Sequence, residues 1–279
     1  MRIKLPVYVL FVIFLSSCHS GPNKNAHYNE IDMNKKSQDS MHFTIQPSQP
    51  SAGNAVNITL RPVDPSTDST AKLEVQHEKK IHFIVVNEDL SYFRHLHPIE
   101  QPDGTYTLTH VFERGGNYLL YADFKPIGSD KQVSVEHVKV SGVAPGPVTY
   151  EVQSLQSHVD GYFITLEIPD SVIVSNKEQM FTAEIRDRNK ILPPAELEDY
   201  LGEKAHMVII GTTNKKYLHV HPMVMDNQLM LHTTFPEAGT YRCWLEFKKA
   251  GKVSIADFVM IVSAGQSSTS TKERNQHTH

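Results

Sequence analysis

The chain has 279 residues, 39% of them hydrophobic, a formal net charge of −4 and two cysteines. That length holds two ordinary domains with cores of their own. The acidic balance argues against nucleic acid and against an anionic membrane surface as partners.

The N-terminus reads as a processing signal. Arg2 and Lys4 make a short positive region, and Leu5 to Phe14 are almost all apolar, too few to span a bilayer as a mature helix. Leu15-Ser16-Ser17-Cys18 then resembles the lipobox of bacterial lipoproteins, in which Cys18 becomes the acylated first residue. Each methylene buried in the membrane contributes about 0.8 kcal/mol, so two or three acyl chains hold a protein firmly. The expectation is an exported chain tethered to the cell envelope through lipidated Cys18, at the outer membrane if the host has two. Loss of residues 1–17 removes Arg2 and Lys4 and takes the net charge from −4 to −6. Cys243 then has no intramolecular disulfide partner.

Residues 18–40 are polar and read as a flexible stalk. Short β-type runs follow, separated by turn residues: Val56–Leu60, Ile81–Val86, Tyr118–Phe124 and Val133–Val140, then Phe163–Ile168, Met180–Ile185, His206–Ile210 and Tyr241–Phe247. The Gly/Pro-rich segment 142–147 separates a first domain over 41–141 from a second over 148–264, and 265–279 form a polar tail. A small helix or turn is expected at Pro194–Leu201, with Gly202 just past its end. The fold class expected is all-β: two tandem immunoglobulin-like β-sandwich domains from an internal duplication.

The duplication is written in the histidines. Glu78-Lys-Lys-Ile-His82 precedes His95-Leu-His97-Pro98 by the same twelve residues that separate Glu203-Lys-Ala-His206 from His219-Val-His221-Pro222. Each copy continues into a matched tail, Phe112-x-x-x-Gly116-x-Tyr118 with Asp123-Phe124-Lys125, and Phe235-x-x-x-Gly239-x-Tyr241 with Glu246-Phe247-Lys248. A hairpin turning at Asn87–Leu90 would set His82 opposite His95, and one turning at Gly211–Asn214 would set His206 opposite His219. His97 and His221 lie two residues further along and share that face.

Three neutral imidazoles suit Cu(II) or Zn(II), leaving a fourth position for water or a carboxylate. His137 and Asp257, in the last strand of each domain, are the candidates for that position. Histidines that orient a turn or bridge two strands would repeat equally well, so a structural role stands beside the metal reading. Met207, Met223, Met225 and Met230 surround the second motif; thioethers favour Cu(I), but such residues also fill cores and line surfaces. Cys243 alternates with Tyr241 and Leu245 as a small buried hydrophobe would. His277 and His279 in the tail are at best a loose site, and His110 and His232 fall outside the repeated set.

Leu197-Glu-Asp-Tyr200-Leu201-Gly202-Glu-Lys-Ala-His206, Tyr217-Leu-His219-Val-His221-Pro222 and Phe235-Pro-Glu-Ala-Gly239-Thr-Tyr241 together resemble a group of secreted bacterial proteins with a Tyr-Leu-Gly…His…Leu-His-Val-His-Pro signature. The resemblance implies export, an immunoglobulin-like or copper-resistance-type β-domain and a heavy-metal theme. It covers roughly 190–262, and Ala205 stands where the group usually has Gly. The first repeat lacks the Tyr-Leu-Gly lead-in. No hydrolase elbow, phosphate loop, dinucleotide fingerprint or His-Glu-x-x-His is present, so the chain reads as a non-enzyme. The reading is a lipid-anchored binder of copper or zinc, for sequestration or for delivery to an envelope metal-handling protein. The alternative is a structural or protein-interaction module. Replacing Cys18 by Ala is expected to abolish incorporation of radiolabelled palmitate in growing cells; unchanged labelling would exclude acylation at Cys18.

Overall fold

The computed structural model describes residues 40–64, 66–170 and 172–265. The signal segment, Cys18, the stalk up to residue 39 and the tail with His277 and His279 lie outside the described residues. No helix among the described residues is long and apolar enough to cross a membrane.

The first repeat contains β1 (Ser40–Gln46), β2 (Ala55–Asp64), β3 (Ser69–Thr70), β4 (Ile81–Asn87), β5 (Phe93–Leu96), β6 (Ile99–Glu100), β7 (Tyr106–Val111), β8 (Gly116–Phe124) and β9 (Gln132–Val140). One sheet runs β1-β2-β7-β6 with β3 against β2, and the other runs β5-β4-β8-β9. These are the A-B-E-D and C′-C-F-G orders of an immunoglobulin-like sandwich.

The second repeat contains β10 (Gln156–Val159), β11 (Tyr162–Glu167), β12 (Ile173–Val174), β13 (Glu178–Asp187), β14 (Lys190–Leu192), β15 (Ala205–Gly211), β16 (Tyr217–Val220), β17 (Met223–Met225), β18 (Gln228–Thr234), β19 (Gly239–Lys249) and β20 (Lys252–Ser263). It repeats both orders, as β11-β13-β18-β17 and β20-β19-β15-β16, with β10 and β12 added at edges and β14 on β13. The segment expected to form a small helix or turn gives a single 3₁₀ turn at Pro194–Glu196, with proline at its start.

The matched tails explain themselves in the fold. Tyr118 and Tyr241 each donate a hydroxyl hydrogen bond to a carbonyl four residues upstream, Arg114 O and Glu237 O, both at 2.9 Å. This is the tyrosine corner of the immunoglobulin sandwich.

Every residue of Ile81–Val86 is buried, as is every residue of Ala205–Gly211. A strand that is apolar on one face only would alternate, so these strands are covered on both sides. Ile81, Phe83 and Val85 enter the core of the first sandwich. Ile84 and Val86 instead join Phe93, Leu119, Tyr121, Val208, Ile210, Tyr217 and Trp244 in a third apolar cluster, built from both repeats. The two C′-C-F-G sheets therefore pack face to face. Phe93 stacks on Trp244 at 4.5 Å, and Tyr121 on Tyr217 at 5.3 Å. At the rim, the Tyr121 hydroxyl donates to Lys215 O and Arg242 Nε donates to Leu90 O. Trp244, the only tryptophan, is the largest side chain of this layer. Trp244→Ala is expected to cost about 3–5 kcal/mol and to separate the unfolding of the two sandwiches in a urea titration; one unshifted transition would refute the shared core.

Candidate metal centre

The histidines of each repeat lie where the interdomain layer ends. Along β4, His82 shares the outward face of Ile84 and Val86; along β5, His95 shares the face of Phe93. Asp123 follows Leu119 and Tyr121 on the same face of β8. In the second repeat the equivalent positions are His206 on β15, His219 on β16 and Glu246 on β19. His97 and His221 come immediately after β5 and near the end of the β16 hairpin arm, each followed by proline.

The hairpins turn one residue later than expected. His95 is opposite Ile84, not His82, and His219 is opposite Val208, not His206. The Asn87 side chain accepts from Tyr92 N and donates to Ser91 Oγ, closing the first turn around Glu88–Ser91. In the second, Gly211 N donates to Lys216 O, and Lys215 takes a left-handed φ of 56°. Gly211 leaves room there for the Asn214 side chain, whose Oδ1 would otherwise have to move away from a Cβ 1.9 Å distant. The resulting register slip is two residues, and an even slip leaves every side chain on its original face. The three imidazoles of each repeat still meet.

They meet closely. One nitrogen from each of His82, His95 and His97 lies within 4.8 Å of the others, and the same holds for His206, His219 and His221. Hydrogen bonds set the tautomers. His82 Nε2–H donates to Gln76 O (3.0 Å) and His206 Nε2–H to Tyr200 O (2.8 Å), since a carbonyl only accepts. His219 Nδ1–H donates to Asp123 Oδ2 at 2.8 Å, and His95 Nδ1–H to Glu246 Oε2. Each carboxylate thus orients an imidazole of the other repeat.

The second nitrogen of each of these four rings carries a lone pair, and His97 and His221 each add a nitrogen within 4.8 Å of its triad partners. In the second triad His206 Nδ1, His219 Nε2 and His221 Nε2 are buried with no hydrogen-bond partner among the described residues. In the first, His97 Nε2 is in the same condition, while His82 Nδ1 and His95 Nε2 face each other at 3.1 Å. Two lone pairs at that distance repel unless a proton or a metal ion lies between them. Buried acceptors left unpaired are uncommon because each costs about 1–3 kcal/mol. Six converging imidazole nitrogens fit a divalent ion of the copper or zinc type in each triad.

Burial also keeps His82, His97, His206, His219 and His221 neutral, as a ligand must be. It pulls His82 down to about 4, helped by the neighbouring His95, and His206 to about 3 and His97 to about 2. His219 and His221 are held well below the usual imidazole range for the same reason.

Residues 36–142 match a family described as "Domain of unknown function (DUF8832)", and residues 157–264 match it a second time. The chain belongs to this family. No curated protein matches it. Solved structures similar to it include the Escherichia coli adhesin FdeC, at 14% identity and a TM-score of 0.28 over 81% of this chain. The Yersinia pseudotuberculosis adhesin InvE follows at 12%, 0.24 and 79%. The fibronectin(III)-like modules of Clostridium thermocellum CbhA give 13%, 0.23 and 85%, with all of that chain covered. The present chain spans 65% and 58% of the two adhesin structures. Scores of this size carry no argument about function, and the sandwich topology stands on the strand order itself.

Within the two DUF8832 copies, the expected fourth ligands are not brought to the triads. The residue across from Asp123 on β9 is Val133, and His137 lies exposed opposite Leu119, four residues or about 13 Å further along. Asp257 is opposite Trp244 and pairs with Arg242 at 2.8 Å, its side chain 55% exposed. Nor are the two positions equivalent, since the counterpart of Trp244 in the first copy is Tyr121, which faces Val135. The carboxylates that do reach the histidines, Asp123 and Glu246, stood in the matched tails. The signal for them was the repeated acid-Phe-Lys, but its facing surface belongs to the other copy.

His77 carried no repeat signal, because its counterpart is Leu201. It stacks on His221 at 3.6 Å, with Nδ1 3.6 Å from Glu203 Oε1. Among the methionines, Met207 is core. Met223 and Met230 pair across the far sheet, where Met225 is exposed, so they do not line the triads. Cys243 is fully buried in the second core, and burial pushes its thiol far up.

A histidine whose folded value lies below the ordinary 6.5 takes up its proton only on unfolding, so the unfolded chain binds more protons between the two values. His82, His97 and His206 all act in this direction. For the metal-free protein, stability is expected to be full above pH 6.5 and to fall as pH drops towards 4, each of the five triad histidines so shifted, His219 and His221 included, adding up to about 1.4 kcal/mol per pH unit to the slope. Urea titrations across that range would show it; an unchanged midpoint between pH 6.5 and 4.5 would contradict the neutral-imidazole assignment.

Proposed function

We propose that this protein is an exported, lipid-anchored envelope protein that binds a divalent transition metal at its histidine triads, for sequestration or delivery. The observation that carries this reading is the set of buried nitrogens of His206, His219 and His221 that converge without a hydrogen-bond partner. A purely structural role accounts for His82 and His206, each bonded to a backbone carbonyl. It leaves the second nitrogen of His206, and the buried Nε2 atoms of His97, His219 and His221, unexplained.

The protein's own residues prepare the sites. Gln76 O and Tyr200 O fix His82 and His206 with Nδ1 as donor atom to an ion; Glu246 and Asp123 fix His95 and His219 with Nε2 as donor. Such outer partners set ring orientation and raise ligand basicity. An ion held there supplies positive charge to a layer in which Asp123 Oδ1 is buried without a hydrogen-bond partner among the described residues. The all-imidazole donor set suits copper and zinc, and among divalent ions copper binds such ligands most tightly.

The test is titration of the intact, tag-free chain in detergent with Cu(II) and Zn(II), following bound metal and Trp244 fluorescence. Native protein is expected to bind. His97→Ala with His221→Ala is expected to weaken binding by roughly a hundredfold or more, beyond the ten- to hundredfold that outer-partner changes produce. Equal affinities for native and double variant would overturn the reading.

A further inference from the structure

The two triads are not separate in space. His82 of the first lies 5.0 Å from His219 of the second, ring centroid to centroid, and the rings are nearly perpendicular. That is shorter than the 5.2 Å and 5.3 Å from His82 to its own partners His95 and His97. His95 to His219 (5.9 Å) and His82 to His206 (6.3 Å) complete the bridge. The six rings form one continuous cluster across the domain interface.

The carboxylates cross it. Asp123 is the direct cross-strand neighbour of His82 on its own sheet, and its Oδ2 holds His219 of the other domain. Glu246 is the direct neighbour of His206 and holds His95 of the other domain. Each acid therefore belongs by chain to one triad and by hydrogen bond to the other. Both are at most 2% exposed, and among the described residues the one ammonium on the pair is Lys131 Nζ, 2.9 Å from Asp123 Oδ2. Two buried carboxylates against one ammonium leave the layer short of positive charge unless cations enter it.

The geometry points to a single coupled two-ion centre shared by the two domains, in which each carboxylate positions the central imidazole of the opposite triad. This rests on the metal-binding reading above and goes beyond it: an ion in one triad is felt in the other, and neither site is complete in one domain alone. Asp123 and Glu246 are positioning residues, reaching the ions through His219 and His95.

Cu(II) tests this directly, because two paramagnetic ions this close couple magnetically. The intact native chain is titrated with Cu(II), and electron paramagnetic resonance spectra are taken at one and two equivalents. The expected result is two ions per chain, with a half-field transition appearing only as the second equivalent binds. Two ions with fully isolated spectra would leave the metal-binding reading standing and overturn the coupling. A single ion per chain would overturn the two-ion centre, and no binding at all would remove both.

The crossing has its own arm. Glu246→Gln is made in His221→Ala, where the first triad remains, and in His97→Ala, where the second remains. Copper affinity is expected to fall ten- to a hundredfold in the first background and to stay within twofold in the second. A loss confined to the second background, or equal in both, would overturn the crossed positioning. The native-chain spectra decide the coupling even where a variant fails to fold.

Discussion

The structure depends on one packing event, the burial of two C′-C-F-G sheets against each other. Aromatic and aliphatic side chains from both repeats, with Phe93 on Trp244 and Tyr121 on Tyr217 at the centre, make a dry layer between the sandwiches. Its hydrophobic stabilisation offsets the desolvation of the imidazoles and carboxylates that continue the same strands. His82 follows from Ile84 and Val86, Asp123 from Leu119 and Tyr121, and Glu246 from Trp244, all by the two-residue period of a strand. At the polar end the side chains of His95, His219, Glu246 and Asp123 are still at most 2% exposed, while His97 and His221 are half-buried at its margin.

Once buried, the polar groups have few ways to be satisfied. Neutral imidazole carries one donor and one acceptor. Carbonyls at Gln76 and Tyr200 and carboxylates at Glu246 and Asp123 take the donors, and the acceptors are left facing inward. The crossed carboxylates arise from the approximate two-fold relation between the copies. Asp123 meets His219 and Glu246 meets His95, the reciprocal pairing expected when one surface patch packs on its duplicate. A duplication is an economical origin for such a layer, because a patch that packs on its own copy needs only one surface to evolve.

The departures from two-fold relation are local. His77 stacks over His221, while Leu201 stands at its counterpart position in the other copy. Lys131 reaches Asp123. The second repeat carries the extra edge strands and the methionine-bearing far sheet. These differences make the two triads chemically unequal while leaving the six repeated histidines in place.

Period and repetition in the chain determined a good deal. The fixed spacing of His82, His95 and His97 and of their counterparts implied a hairpin in each copy, and alternation put the three rings on one face. That survived a turn one residue later than expected, because facing depends only on whether a slip is even. The β-sandwich class was equally legible, from short strands, turn residues and the Phe-Gly-Tyr tails that build the tyrosine corners. What strand pattern could not supply was the surface those faces meet. The run Ile81–Val86 is covered on both sides in the fold, and its strand pattern alone named no second covering. Position in the last strand of each domain points to His137 and Asp257 as the fourth ligands. The tertiary structure decided otherwise: docking brings in Glu246 for His95 and Asp123 for His219, and such contacts between residues some 100–150 positions apart leave no local period in a sequence. Sequence determined which groups each domain presents; only the packing of the two domains decided that they are presented to each other.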